Sequence, residues 1–192
     1  IDGDLTEYQG KMFLFLPNIS IPLNLWRGPE DVEAKIWLGW DEDNLYIAAD
    51  VWDDFLAQKG EPWQESLQLY IASGLEITYS SGQNKLFVFK NGTPFEETFP
   101  FAVKSTNASY QIELAIPWGL LGIRVPGGAA PSDKISPAGG TLQTEGVALE
   151  GLSLRFNVLL YDTDMNGYRG YLSLLPLKDW KEGMGMPRDS SQ

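Results

Sequence analysis

The stretch EAKIWLGWDEDNLYIAADVW, residues 33–52, decides the fold. Ala34, Ile36, Leu38 and Trp40 alternate with Lys35, Trp37 and Gly39, the period of two expected of a strand with one buried face. Asp41-Glu42-Asp43-Asn44 interrupts that pattern with an acidic turn, after which Leu45, Ile47, Ala49 and Val51 resume it. Residues 33–52 therefore read as a β-hairpin. Working outward, Leu67, Leu69 and Ile71 form the inner face of another strand, with Ser66, Gln68 and Tyr70 on its other side. Further strands are expected over 85–90, 98–104, 110–116, 153–161 and 168–174, and one helical turn over Pro117-Trp118-Gly119-Leu120-Leu121. This density of short strands between Gly, Asn and Pro turns, without sustained 3.6-residue periodicity, predicts an all-β, antiparallel β-sandwich of jelly-roll-like form.

Between Val125 and Gly146 the composition shifts to Gly, Ala, Pro, Ser and Thr, which supply no core. A long loop insertion near 125–150 is expected there, its body at 126–147, with a loosely ordered tail over 182–192. At 192 residues the chain fits one domain, 1–192.

Composition removes whole classes of chemistry. There is neither Cys nor His, which excludes disulfides, thiolate or imidazole metal sites, and Ser-His-Asp or Cys-His catalysis. Acid–base work is left to carboxylates, Lys and Tyr. A net charge of −12 disfavours nucleic acid and anionic membranes, whose recognition needs clustered Lys and Arg. No apolar run approaches the roughly 20 residues of a membrane span, so no membrane insertion is expected. Absence of a charged leader leads us to expect an excised module.

Five pieces occur in order along the chain: IDGDLTEY at 1–8, WDEDNLYIAADVWDD at 40–54, PWQESLQLYI at 62–71, YQIELAIPW at 110–118 and FNVLLYDTDMNGYRG at 156–170. Together they resemble carbohydrate-binding module family 9, within the wider DOMON-like superfamily. The resemblance implies a noncatalytic sandwich, secreted or at the cell surface, that grips sugar rings of a poly- or oligosaccharide between tryptophans. It further implies attached catalytic or surface domains in the parent chain. Trp63 matches the family's first tryptophan, and Trp180, in Lys178-Asp179-Trp180-Lys181, is the candidate partner. Gln68 stands where the family places an acid, Glu65 where it commonly has Asp, and Lys85 is the nearest cation to an arginine expected on the following strand. Tyr70 shares the face of Gln68.

The chemistry suits that role. A pyranose presents an apolar C–H face and a rim of hydroxyls, so it needs a flat aromatic plate and in-plane polar groups. The other tryptophans, Trp26, Trp37, Trp40, Trp52 and Trp118, lie in or beside strands and are expected to pack in the core or on sheet faces, with Trp37 opposite the core-facing series.

Asp162-Thr163-Asp164-Met165-Asn166-Gly167 matches the opening of an EF-hand loop, with oxygen ligands at alternate positions and Gly at the sixth. The twelfth position is Ser173 and strands flank the loop, so an EF-hand is not expected, while Asn166-Gly167 by itself makes a hairpin turn. The resemblance implies structural calcium, for which Asp53, Asp54, Asp162, Asp164 and Asn166 are the candidate ligands.

Three alternatives stand beside this reading. One is a structural sandwich spacing other domains. A second is a glycan-active enzyme, although no carboxylate pair is singled out by its spacing. The third is a b-type haem domain, as in some DOMON-like relatives, whose ligation would fall to Met12, Met165, Met184, Met186 or a Lys.

Overall fold

A computed structural model of the protein describes residues 1–16, 18–19, 27–54, 56, 65–71, 74–96, 98–106, 108–123, 156–163 and 169–174. The expected insertion at 126–147 and the tail at 182–192 lie outside the described residues. Among the described residues the strands are β1 (Asn18–Ile19), β2 (Val32–Trp40), β3 (Asn44–Asp53), β4 (Ser66–Ile71), β5 (Leu75–Ser80), β6 (Lys85–Lys90), β7 (Thr93–Pro94), β8 (Phe101–Ser105), β9 (Ser109–Pro117), β10 (Phe156–Thr163) and β11 (Arg169–Ser173). A single 3-10 turn, Thr6–Tyr8, precedes them. No helix among the described residues is long and apolar enough to cross a membrane.

The strands form two antiparallel sheets. One runs β1-β11-β10-β4-β5-β6-β7 and the other β2-β3-β9-β8, so the protein is an all-β sandwich. The hairpin at its heart pairs Ala34 with Val51, Ile36 with Ala49 and Leu38 with Ile47. Its inward series meets Leu67, Leu69, Ile71, Ile77, Ile112, Leu114, Val158 and Leu160 in one buried cluster. Removal of these side chains from water is the main favourable term in folding.

The structure adjusts the expected pattern in several places. Trp40, the last member of the inward series, is 41% exposed because β2 ends there at the acidic turn. Trp37, on the opposite phase, is buried by the N-terminal segment. Leu5, Tyr8 and Phe13 pack against it and Ala48, while Leu14 exchanges backbone hydrogen bonds of 2.8 and 3.1 Å with Ile36. Strand β5 was not anticipated, although Leu75, Ile77 and Tyr79 alternate with Glu76, Thr78 and Ser80. Asn91 and Gly92 between β6 and β7 have φ of +51° and +75°, the left-handed pair a type I′ hairpin turn requires. After β9, where one helical turn is expected, consecutive bonds from Leu120 to Pro117 and Leu121 to Trp118 make hydrogen-bonded turns without a helix, and the Trp118 indole donates to the Asp41 carbonyl at 2.9 Å.

Candidate functional site

Three strand ends converge at one end of the sandwich. Asp53 takes the last inward position of β3 after Leu45, Ile47, Ala49 and Val51. Asp162 does the same on β10 after Val158 and Leu160. Glu65 stands immediately before β4, with φ of +52°. All three are buried, and each offers a carboxylate oxygen within 4.8 Å of the others'. Gathering three carboxylates in an apolar interior costs free energy unless a cation or protons offset the charge.

The hydrogen-bond pattern shows where the deficit lies. Glu65 Oε1 accepts from the Thr163 backbone N–H at 2.5 Å, whereas its Oε2 is buried without a partner. Burial pushes the Glu65 carboxyl up to about 10, with the repulsion of Asp53, a hydrogen bond with Asp53 and the repulsion of Asp162 adding to it. The Tyr110 hydroxyl is likewise buried without a partner, and the same burial together with Asp53 and Glu65 holds its phenol well above the usual range. The donor set is oxygen throughout, which suits calcium or another hard cation and not zinc or copper. Asp53, Glu65 and Asp162 thus fit a cation on the orphaned oxygen and the chemistry of the donors.

Of the expected metal ligands, Asp53 and Asp162 are brought together. Asp54 stands outside this group and pairs with Arg27, which also holds buried Asp31 at 2.9 Å. Asp164 and Asn166 lie outside the described residues. Glu65 was not foreseen as a ligand. Its signal was an acid placed directly before a strand whose every residue is buried.

The outer face of the seven-stranded sheet carries the other candidates. Ser66, Gln68 and Tyr70 point away from the core in register with Ser80, Thr78 and Glu76 on β5, and Lys85 continues the first row on β6. The Gln68 amide donates to Ser66 Oγ at 3.0 Å and accepts from the Tyr70 hydroxyl at 2.5 Å. Both Gln68 and Tyr70 are buried, while Lys85 is exposed with its ammonium 4.9 Å from the Phe87 ring centre. Trp63 and Trp180 lie outside the described residues. Met12, a candidate haem ligand, is 91% exposed at the surface.

A cleft of about 600 Å³, lined by Lys90, Phe95, Pro117 and Leu120 among others, opens at the end of the sandwich away from the carboxylates. Lys90 crosses it to donate to the Leu120 carbonyl at 2.9 Å.

Comparison with known proteins places this sandwich. The family model described as "Carbohydrate family 9 binding domain-like" matches residues 1–181, and the chain belongs to that family of carbohydrate-binding modules. It is similar to a family 9 carbohydrate-binding module from Caldicellulosiruptor kristjanssonii solved with cellotriose. The TM-score is 0.58 at 16% identity, covering 91% of this chain and 78% of that one. The module from the same organism solved with glucose aligns with the same TM-score and identity, and 80% of it is covered. At such identity these likenesses describe the fold. In sequence, the chain is 32% identical over 100 residues to endo-1,4-beta-xylanase C of Paenibacillus barcinonensis, covering 47% of this chain and 9% of that enzyme. The chain thus matches only a small part of that relative's length.

Proposed function

We propose that this chain is a noncatalytic module that binds neutral poly- or oligosaccharide in a slot of tryptophans and tethers an attached enzyme or surface protein to glycan outside the cell. The family match over residues 1–181 carries this reading. The plates are Trp63 and Trp180, with polar contacts from Gln68, Lys85 and Tyr70. Gln68, Tyr70 and Lys85 support it by lying on one face of the seven-stranded sheet. The Ser66 and Tyr70 bonds hold the Gln68 amide in one orientation, but Gln68 and Tyr70 are buried, so contact with a sugar would fall first to Lys85, which is exposed. Tethering works by effective concentration, since a linked domain samples the polymer surface without a separate encounter. That the Caldicellulosiruptor modules were solved with cellotriose and glucose favours a β-glycan ligand, and that the matched xylanase is far longer than this chain favours the tethering role.

Calcium belongs to the same proposal. Asp53, Glu65 and Asp162 would hold it, and its charge would offset three buried carboxylates and fasten the ends of β3, β4 and β10 to one another. Terbium emission sensitised by nearby tyrosine, lost in Glu65→Gln, is the direct readout.

Tryptophan fluorescence titrated with cellotriose and a panel of neutral and charged oligosaccharides tests the sugar reading, with and without calcium, in the wild type and Trp63→Ala. A saturable shift in the wild type that vanishes in Trp63→Ala supports it. No shift with any glycan from a folded protein favours a structural spacer. The buried Gln68–Tyr70 pair, with its polar atoms engaged within the sheet, would then be a packing feature.

A further inference from the structure

The second sheet has an outer face of its own. On it, β2, β3, β9 and β8 align Lys35, Asp50, Gln111 and Lys104 in one transverse row, and Glu33, Trp52 and Ser109 in the next. The Leu14–Ile36 bridge is antiparallel, which sets Phe15 beside Lys35 at the edge of the first row. Trp52 is 47% exposed and Phe15, edge-on to Phe13 at 4.7 Å, 54%, large apolar rings in water on a face whose row on the other side, Trp37 and Ala48, is covered by Leu5, Tyr8 and Phe13.

We propose that this face is a second glycan-contacting surface, with Trp52 and Phe15 as stacking plates and the Lys35–Asp50–Gln111 strip beside them as hydroxyl partners. Its occupant is an extended neutral polysaccharide chain. The surface goes beyond the slot proposed above and rests on the same glycan-binding reading only for the class of ligand.

Charge favours this occupant. The row pair carries Glu33 and Asp50 against Lys35 and Lys104, two negative and two positive, on a chain of net −12. Those charges are largely answered locally. Lys35 lies 3.8 Å from Glu33, Lys104 lies 3.2 Å from Asp4, and Gln111 donates to Asp50 at 3.3 Å. A locally neutral strip of donors and acceptors attracts neither a polyanion nor a cationic partner, and it matches a polymer whose polar groups are uncharged hydroxyls. The two rings are also separated by polar groups instead of merging into the continuous apolar patch that marks a protein interface. They stand two strands and one side-chain repeat apart, roughly 12 Å at ~4.8 Å per strand and ~6.8 Å per repeat. That is a span for an extended oligosaccharide and not for one sugar ring.

The test compares short and polymeric probes. Binding of cellotriose in solution and depletion onto insoluble cellulose and insoluble xylan are measured for the wild type, Trp63→Ala, Trp52→Ala, Phe15→Ser and the Trp63→Ala/Trp52→Ala double variant, with folding checked by thermal melting. Trp52→Ala is expected to keep its cellotriose affinity within about twofold and to lose about tenfold on polymer. Phe15→Ser is expected to show a smaller loss in the same direction, and it serves if Trp52→Ala fails to fold. Trp63→Ala should lose cellotriose yet keep polymer retention, which the double variant abolishes. Isotherms of Trp52→Ala and Phe15→Ser that overlay the wild type on both polymers overturn the proposal. So does a parallel loss of cellotriose, which would make Trp52 part of a single slot, or a Trp52-dependent dimer in sedimentation without any effect on glycan. If Trp63→Ala leaves cellotriose binding intact while Trp52→Ala loses polymer, the slot reading fails and this one stands. A wild type that binds none of the probes sinks both.

Discussion

Glu65 and Glu113 are each 2% exposed, yet the sandwich treats them in opposite ways. Glu113 lies on the outward phase of β9, where its Oε2 accepts the backbone N–H groups of Asp2 and Gly3, both at 2.8 Å. The N-terminal segment is thereby fastened over Trp37 and Ala48. Asp2 and Glu7, the other acids near Glu113, are exposed to water. Glu65 has one backbone donor, one oxygen without a partner, and two buried carboxylates as neighbours. The difference separates a buried acid that completes its own hydrogen bonding from one that keeps an unpartnered oxygen among like-charged neighbours. The first is a structural latch, whereas the second has the character expected of the cation site proposed above.

Substitutions can break or sharpen that contrast. Glu113→Ala removes a charged acceptor and strands the Asp2 and Gly3 N–H groups, so urea denaturation should show a loss of about 3 kcal/mol whether or not calcium is present. Calcium at a hundredfold excess over its Kd should stabilise the wild type by about 2.7 kcal/mol in thermal or urea melts. Glu65→Gln should erase that gain. If calcium instead stabilises Glu113→Ala and Glu65→Gln equally, the contrast between the two glutamates is wrong.

The next effect is pH dependence in chelator. An unfolded Glu65 releases its proton near 4.5, and burial keeps the folded carboxyl protonated up to about 10. Between those limits the folded state binds more protons, so stability falls as pH rises, by at most about 1.4 kcal/mol per pH unit for one proton. Urea titrations across that range should show the slope in the wild type and a flatter profile in Glu65→Gln. Calcium should bind more tightly as pH rises, since it competes with that proton. The smallest effect belongs to Tyr110→Phe. Its hydroxyl has no partner to lose, so chelated stability should change by less than about 1 kcal/mol, and a large loss would reveal a bond that the structure does not contain.

Much of the sandwich was legible because its hairpin repeats the period of the pleat. Ala34, Ile36, Leu45, Ile47, Ala49 and Val51 could face inward together only as strands, and the acidic turn at 41–44 set their register. Strand β5 escaped because a six-residue alternation with Glu76, Thr78 and Ser80 carries little signal until neighbours pair with it on both sides. Within the site, Asp53 and Asp162 drew notice as oxygen donors, and both prove to occupy inward positions of apolar alternations. Glu65 is marked in the sequence only by its likeness to a family position.

Sequence alone determined the strand-rich architecture, the family resemblance and the exclusion of thiolate and imidazole chemistry, because local periodicity and composition are written residue by residue. Only the tertiary structure decided that Asp53, Glu65 and Asp162, separated by up to about a hundred residues, share one buried end of the sandwich. It also decided that Trp37 is covered by the N-terminal segment while Trp52, on the same phase of the same sheet, is left in water. Those outcomes depend on which segments pack over which faces, and a pattern of alternation has no means of recording that.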